Sequence, residues 1–122
     1  MRVNLLQEEL DELKEAIADG DITGVADALS DIQYVLSGAI LEFGLGSKFK
    51  ALFEEVQRSN MSKVCPDYET AVATLEYYEK KDGTLGFIEE SHSGFLVYRQ
   101  GDKKVLKSIA YSPADLERIL GQ

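Results

Sequence analysis

The strongest indication of the fold is a pair of helical patterns near the start of the chain, separated by a short turn. The first apolar stripe recurs at intervals of four, three and four residues, which predicts an amphipathic helix over about residues 4–18; it consists of Leu6, Leu10, Leu13 and Ile17. Asp19-Gly20-Asp21 is a turn signal, and a second helix is predicted from about Ile22 into Glu42-Phe43-Gly44, with Asp21 as its N-cap. Such a tight connection predicts antiparallel packing of the two helices.

The second helix is apolar around more than half of its circumference, so we expect it to be largely buried. Its apolar residues are Val25, Leu29, Ile32, Val35, Leu36, Ala39, Ile40 and Phe43. Because a small chain has few segments with which to cover such a helix, a homodimer or larger homo-oligomer is expected.

The rest of the chain changes from helical to strand patterns. A third helix is predicted from Ser47 to the Arg58–Lys63 segment, and a fourth after Cys65-Pro66-Asp67, ending at Lys81-Asp82-Gly83. Strands are predicted at 84–90, 95–99 and 105–109, the first two forming a hairpin, and Ser112-Pro113 resembles the N-cap and first turn of a last short helix.

We therefore predict a mainly α fold, an antiparallel helical bundle with a small C-terminal β-hairpin or meander. Residues 1–122 are expected to form a single domain. Within it, 3–63 would be the metal-binding helical core, 64–111 an added helix and hairpin, and 112–122 a short C-terminal helix.

Composition excludes several classes of protein. No apolar run approaches the ~20 residues that span a bilayer, and the N-terminus lacks the apolar stretch of a signal peptide, so a cytoplasmic protein without membrane contact is expected. The single cysteine and single histidine, Cys65 and His92, exclude an internal disulfide and zinc sites rich in Cys or His. A formal net charge of −9 argues against nucleic-acid binding.

The negative charge is concentrated in the first quarter of the chain, where residues 1–31 hold nine acids and two bases. On a helical wheel Glu9 and Glu12 border the apolar stripe of the first helix, and Asp27 and Asp31 share a stripe of the second with Tyr34. Glu9 lies eleven residues before Gly20 and Asp31 eleven after it, so these carboxylates stand at matching heights in the hairpin.

Converging carboxylates either take up protons or bind a hard divalent cation. Oxygen ligands without His or Cys favour Mg²⁺ or Mn²⁺ over zinc. The alternative is that these acids form an ordinary solvated helix face.

Four parts of the sequence resemble one known group of enzymes. Glu8-Glu9-Leu10-Asp11-Glu12 matches the Glu-Glu-x-x-Glu element of the all-α nucleoside triphosphate pyrophosphohydrolases, the superfamily of MazG, dimeric dUTPases and phosphoribosyl-ATP pyrophosphohydrolase. The phosphoribosyl-ATP pyrophosphohydrolase-like branch is resembled most closely. The segments similar to it are Asp27 to Asp31, Arg58 to Lys63, and Lys104 to Lys107 with Tyr111-Ser112-Pro113.

The chain departs from the pattern of this superfamily in two places. The second element is usually Glu-x-x-Asp, but Ala28 stands where the first acid is expected, so Asp27 would substitute from one position earlier. Members usually have a further helix before the Glu-Glu-x-x-Glu helix, and this sequence begins too late to contain it, so we expect either a truncated start or a partner subunit that supplies the missing packing.

The resemblance implies Mg²⁺-dependent (or Mn²⁺-dependent) hydrolysis of a nucleoside triphosphate between the α and β phosphates. The metal ligands it implies are Glu9, Glu12, Asp27 and Asp31, with Glu12 or Glu9 activating water. The implied substrate contacts are Arg58, Lys63 and Lys107 to phosphates, Asn60 to base or sugar, and Tyr34 closing the site. Two alternatives remain, namely phosphoribosyl-ATP hydrolysis and a non-catalytic acidic helical module that binds a basic partner.

Overall fold

The computed structural model describes residues 1–121 and is mainly helical, with a small C-terminal sheet, as the sequence predicts. Its elements are α1 (Arg2–Ala18), α2 (Ile22–Glu42), α3 (Phe49–Met61), α4 (Tyr68–Asp82), β1 (Gly86–Ser91), β2 (Gly94–Arg99), β3 (Val105–Leu106) and α5 (Leu116–Leu120). They form two compact units, the first from Met1 to Phe49 and the second beginning at Lys50. None of the helices within residues 1–121 is long and apolar enough to cross a membrane.

The first unit is an antiparallel helical hairpin. Arg2, at the start of α1, pairs with Glu42 at the end of α2, with 3.0 Å between Nε and Oε1. At the other end the hairpin turns at Gly20, whose φ of +64° suits glycine. Asp21 caps α2 as predicted, because its side chain accepts a hydrogen bond of 3.0 Å from the Gly24 amide.

The side of α1 that packs against α2 is not the predicted apolar stripe. Ala16 is buried and Leu6 is half-buried, but Leu10 and Ile17 are 52% and 62% exposed. The contact face of α1 is therefore rotated toward the side that carries Glu9 and Ala16.

The expectation that α2 is largely buried is wrong for the chain on its own. Ala28 and Val35 are its buried residues. Because α1 packs along one side of α2, a second apolar side remains exposed, with Ile22 77% and Phe43 78% accessible.

The second unit is built around an antiparallel sheet in the order β1-β2-β3, against which α4 packs. Its core contains Cys65, Ala71, Val97 and Leu106. The third strand ends at Leu106 rather than continuing to Ile109 as predicted. The reason is that the amides of the following residues donate to acceptors outside the sheet. The Ser108 amide donates to the Lys63 carbonyl (3.0 Å), and the Ile109 amide donates to Thr74 Oγ1 (3.2 Å).

The last helix also begins later than predicted. Asp115, not Ser112, is the N-cap of α5 and accepts a hydrogen bond of 3.3 Å from the Arg118 amide. Ser112 is instead tied to α3's C-terminal side, because its amide donates to Ser62 Oγ at 2.9 Å.

Candidate metal centre

Three carboxylates from the two helices of the first unit meet in one place. Glu9 and Glu12 on α1 and Asp31 on α2 each offer an oxygen atom, and these oxygens all lie within 4.8 Å of one another. The spacing of three residues puts both glutamates on one side of α1, and the antiparallel hairpin brings Asp31 to the same height. Glu9 and Asp31 are half-buried, whereas Glu12 is exposed.

Glu9 is the most perturbed member of this cluster. Burial raises the pKa of its carboxyl to about 7, aided by a hydrogen bond with Glu12 and by the charges of Glu12, Asp31 and Asp27. Its Oε2 atom is buried and has no hydrogen-bond partner among the described residues. A buried polar atom without a partner is costly, so the carboxyl either keeps a proton or gains a cation as its partner.

The cluster continues into an acidic cleft of about 230 Å³ near the hairpin turn. Besides Ala16 and Gly24, its lining consists of Glu12, Glu15, Asp19, Asp21 and Asp27. Asp27 is exposed and lies one turn of α2 before Asp31, outside the group of three converging oxygens. These side chains offer oxygen donors, which suit a hard divalent cation.

A second cavity of the first unit, of about 310 Å³, lies toward the other end of the hairpin. Tyr34 lines it together with Ser37, Gly38, Leu41 and Arg2. Arg2 was not singled out from the sequence, although it stands seven residues before Glu9 and therefore on nearly the same face of α1. Its guanidinium lies over Gly38, where a Cβ would meet Arg2 Nη1 at 2.5 Å.

The other predicted substrate contacts belong to the second unit. Arg58 makes a two-pronged ion pair with the buried Glu55 (2.7 and 2.9 Å) and donates to the Pro113 carbonyl at 3.1 Å. Asn60 is exposed in the last turn of α3, and Lys63 is half-buried just beyond it. Lys107 lies with Nζ 4.6 Å from the centre of the Tyr111 ring. The structure thus pairs the partly exposed Arg58 with Glu55 and leaves Lys63 and Lys107 without ion pairs among residues 1–121.

Glu55 itself is a charged residue that sequence reasoning missed. It is 7% exposed, and it also accepts a hydrogen bond of 2.7 Å from the Asp115 amide. The hydrogen bonds from Arg58 and Asp115 lower the pKa of its carboxyl to about 2. The spacing of Glu55 and Arg58, three residues apart on a helix, was the available signal.

Comparison with known proteins adds independent findings. The chain is 29% identical over 83 residues to an uncharacterized protein of Acanthamoeba polyphaga mimivirus, an alignment that covers 66% of this chain and 33% of that protein. The chain therefore spans about a third of that relative's length. No solved structure matches the chain. Residues 1–60, which include α1, α2 and nearly all of α3, match the model of phosphoribosyl-ATP pyrophosphohydrolase. Residues 1–60 are thus similar to the phosphoribosyl-ATP pyrophosphohydrolase family, which lies within the MazG-like all-α nucleoside triphosphate pyrophosphohydrolase superfamily.

Proposed function

We propose that this protein is a metal-dependent nucleoside triphosphate pyrophosphohydrolase, which cleaves between the α and β phosphates to release a nucleoside monophosphate and pyrophosphate. The observation that carries the proposal is the convergence of Glu9, Glu12 and Asp31 around a buried carboxylate oxygen that lacks a partner. The family match of residues 1–60 supports a nucleotide pyrophosphohydrolase type of activity.

The residues of the cluster fit Mg²⁺, or Mn²⁺, as the ion. Glu9, Glu12 and Asp31 would hold it, with Asp27 as a further ligand from the adjoining cleft. When bound, the ion neutralises phosphate charge and polarises the phosphorus atom. Without a cation, an anionic triphosphate would be repelled by the five carboxylates that line the cleft.

Glu12 and Glu9 are the proposed catalytic residues. The carboxylate of Glu12 is exposed, so it can orient the attacking water and accept its proton. In the metal-free protein the pKa of Glu9 is about 7, and a bound ion would take the place of the proton that this carboxyl keeps. Attack of that water on the α phosphorus breaks the bond to the bridging oxygen, and pyrophosphate leaves.

The substrate contacts are also proposals. Lys63 and Lys107 would pair with phosphate oxygens, Asn60 would bond to base or sugar, and Tyr34 would close the site over the acids. Arg58 is proposed to contact phosphate through Nη1, because its ion pair with Glu55 uses Nε and Nη2.

The test is pyrophosphate release from a panel of nucleoside triphosphates, with phosphoribosyl-ATP included because the matching family model carries that name. Loss of a general base costs about 10²- to 10⁴-fold, so Glu12→Gln should reduce the rate at least 100-fold. Asp11→Asn is the matched control, because Asp11 lies on the opposite side of α1 and its partner is Gln7.

Two results would change the proposal. Release of pyrophosphate from phosphoribosyl-ATP alone would identify the substrate as that of the matching family. No release from any compound, with Mg²⁺ or Mn²⁺, would refute hydrolysis and favour the non-catalytic acidic module.

We also propose that the first unit pairs with a second copy of the chain. Exposed apolar residues recur every seven positions along both of its helices: Val3, Leu10 and Ile17 on α1, and Ile22, Leu29 and Leu36 on α2, with Phe43 at its C-cap. This period is typical of helices that pack along a seam against other helices. Light scattering should give twice the chain mass, and Leu10→Glu with Leu29→Glu should yield a folded monomer; a monomeric wild type would refute the pairing.

A further inference from the structure

The second unit contains a cavity of which the proposed hydrolysis uses a single lining residue, Lys107. Its volume is about 540 Å³, within the range of small-molecule pockets, and its walls come from α4 and from the segment that follows β3. The lining is dominated by three aromatic rings: it includes Ala73, Tyr77 and Tyr78 on one side and Lys107, Ile109 and Tyr111 on the other. α4 lies outside the part of the chain that matches the family model.

The walls of this cavity are held in place by specific contacts. The Tyr78 hydroxyl donates a hydrogen bond of 2.9 Å to the Lys107 carbonyl, which joins the two sides. Tyr77 packs edge-on against Tyr78, with 5.1 Å between the ring centres. Tyr77 is nonetheless 48% exposed, so part of its ring remains available to a ligand.

Cations flank the rings, although the chain as a whole is acidic. Lys107 Nζ lies 4.6 Å from the centre of the Tyr111 ring, and Lys81 Nζ lies 5.7 Å from that of Tyr77. Among residues 1–121, none of those that line the cavity is acidic. A ligand there meets aromatic faces together with positive charge.

The hydroxyl of Tyr111 marks the positive end of the cavity. Ser59 Oγ donates a hydrogen bond of 3.5 Å to it. That hydrogen bond lowers the pKa of Tyr111, and the charges of Lys107, Lys63 and Arg58 lower it further. Because Glu55 already compensates Arg58, the two lysines provide the uncompensated charge for an anionic ligand.

We propose that this cavity binds a nucleotide without the help of a metal ion, its base stacked on Tyr77 and its phosphates paired with Lys107 and Lys63. The choice of a nucleotide as the ligand rests on the proposed function, whereas the binding itself does not require hydrolysis. Aromatic stacking is tolerant of base identity, and lysine is a good partner for phosphate. A cavity of this size fits one nucleotide rather than a strand, and the net charge of −9 disfavours a polyanion.

The experiment measures binding of ATP, GTP, CTP and UTP to the full chain in EDTA, by calorimetry and by amide NMR shifts. At least one nucleotide should bind, with shifts confined to residues 59–63, 73–78 and 107–111. Adenosine and inorganic triphosphate should each bind more weakly than ATP, because each supplies half of the contacts. Removing all divalent ions separates this binding from the acidic cluster, so failed hydrolysis would not affect the result.

Variants test the two halves of the cavity. Tyr77→Leu keeps apolar bulk but loses the stacking face, and it should weaken binding about 5- to 100-fold. Lys107→Gln should weaken ATP binding about 10-fold or more while changing adenosine binding little. Lys104→Gln is the matched control, being an exposed lysine of the same segment outside the cavity, and should bind like the wild type. Circular dichroism checks that each variant is folded.

Several outcomes would overturn the proposal. They are no binding in EDTA, shifts confined to residues 9–31, equal weakening by Lys104→Gln and Lys107→Gln, or tighter binding of a single-stranded oligonucleotide than of any mononucleotide.

Discussion

Binding of Mg²⁺ to the cluster of Glu9, Glu12 and Asp31 should raise the melting temperature, because an ion bound only by the native state stabilises it. At a concentration of 100 times its dissociation constant, a bound ion adds about 2.7 kcal/mol to the free energy of unfolding. With an unfolding entropy of about 2.1 cal/mol/K per residue, cooperative unfolding of 122 residues converts this into a rise of roughly 10 °C.

The assay is differential scanning calorimetry of the wild type, Glu9→Gln and Asp11→Asn over a Mg²⁺ series, repeated with Mn²⁺. A tenfold weaker affinity in Glu9→Gln would remove about 1.4 kcal/mol, or roughly 5 °C, from the shift at equal concentration. Asp11→Asn should shift as the wild type does, because Asp11 lies outside the cluster. The reasoning fails if neither ion raises the melting temperature, or if the two variants lose the shift equally.

Three further predictions concern the metal-free protein and the second unit. Since the pKa of Glu9 is raised from 4.5 to about 7, the native state keeps a proton that the unfolded chain releases, so stability should fall as pH rises across that interval. Thermal melts should show this fall in the wild type and less of it in Glu9→Gln; identical profiles would contradict it. Glu55→Gln should lower the melting temperature by several degrees and speed amide exchange at Asp115, whose hydrogen bond it weakens; unchanged exchange would refute the role of Glu55 in holding this segment. Gly94→Ala should cost more than about 1 kcal/mol in urea unfolding, because φ is +141° and the Cβ would collide with the Cys65 carbonyl oxygen. Gly101→Ala shares a positive φ (+100°) but meets no atom within 4 Å, so it should cost less, and the opposite ranking would exclude the collision as the cause.

Local signals in the sequence predict most elements of the fold. Periodicity identifies α1 and α2, and the turn at Gly20 with its cap at Asp21 follows from residue types alone. The end of β3 and the start of α5 were predicted wrongly, because hydrogen bonds to Lys63, Thr74 and Ser62, distant in sequence, decide them.

The acidic cluster could be anticipated because helical geometry converts spacing into position. Matching distances from Gly20 bring Glu9 and Asp31 together once the helices are antiparallel. The apolar stripe was less informative, since Leu10 and Ile17 fit the same periodicity as the buried residues and are nevertheless exposed. The cavity at Tyr77 and Lys107 joins segments about thirty residues apart, so spacing gave no indication of it.

The short turn at residues 19–21 determines how the carboxylates of the two helices are aligned, although Glu9 and Asp31 each lie about 16 Å along a helix from Gly20. Each helical residue advances the chain by about 1.5 Å and 100°. A turn that is one residue longer or shorter would thus shift the carboxylates of α1 relative to those of α2, although no acidic residue would be lost. The length of this turn therefore decides whether the carboxylates of the two helices meet closely enough to share an ion.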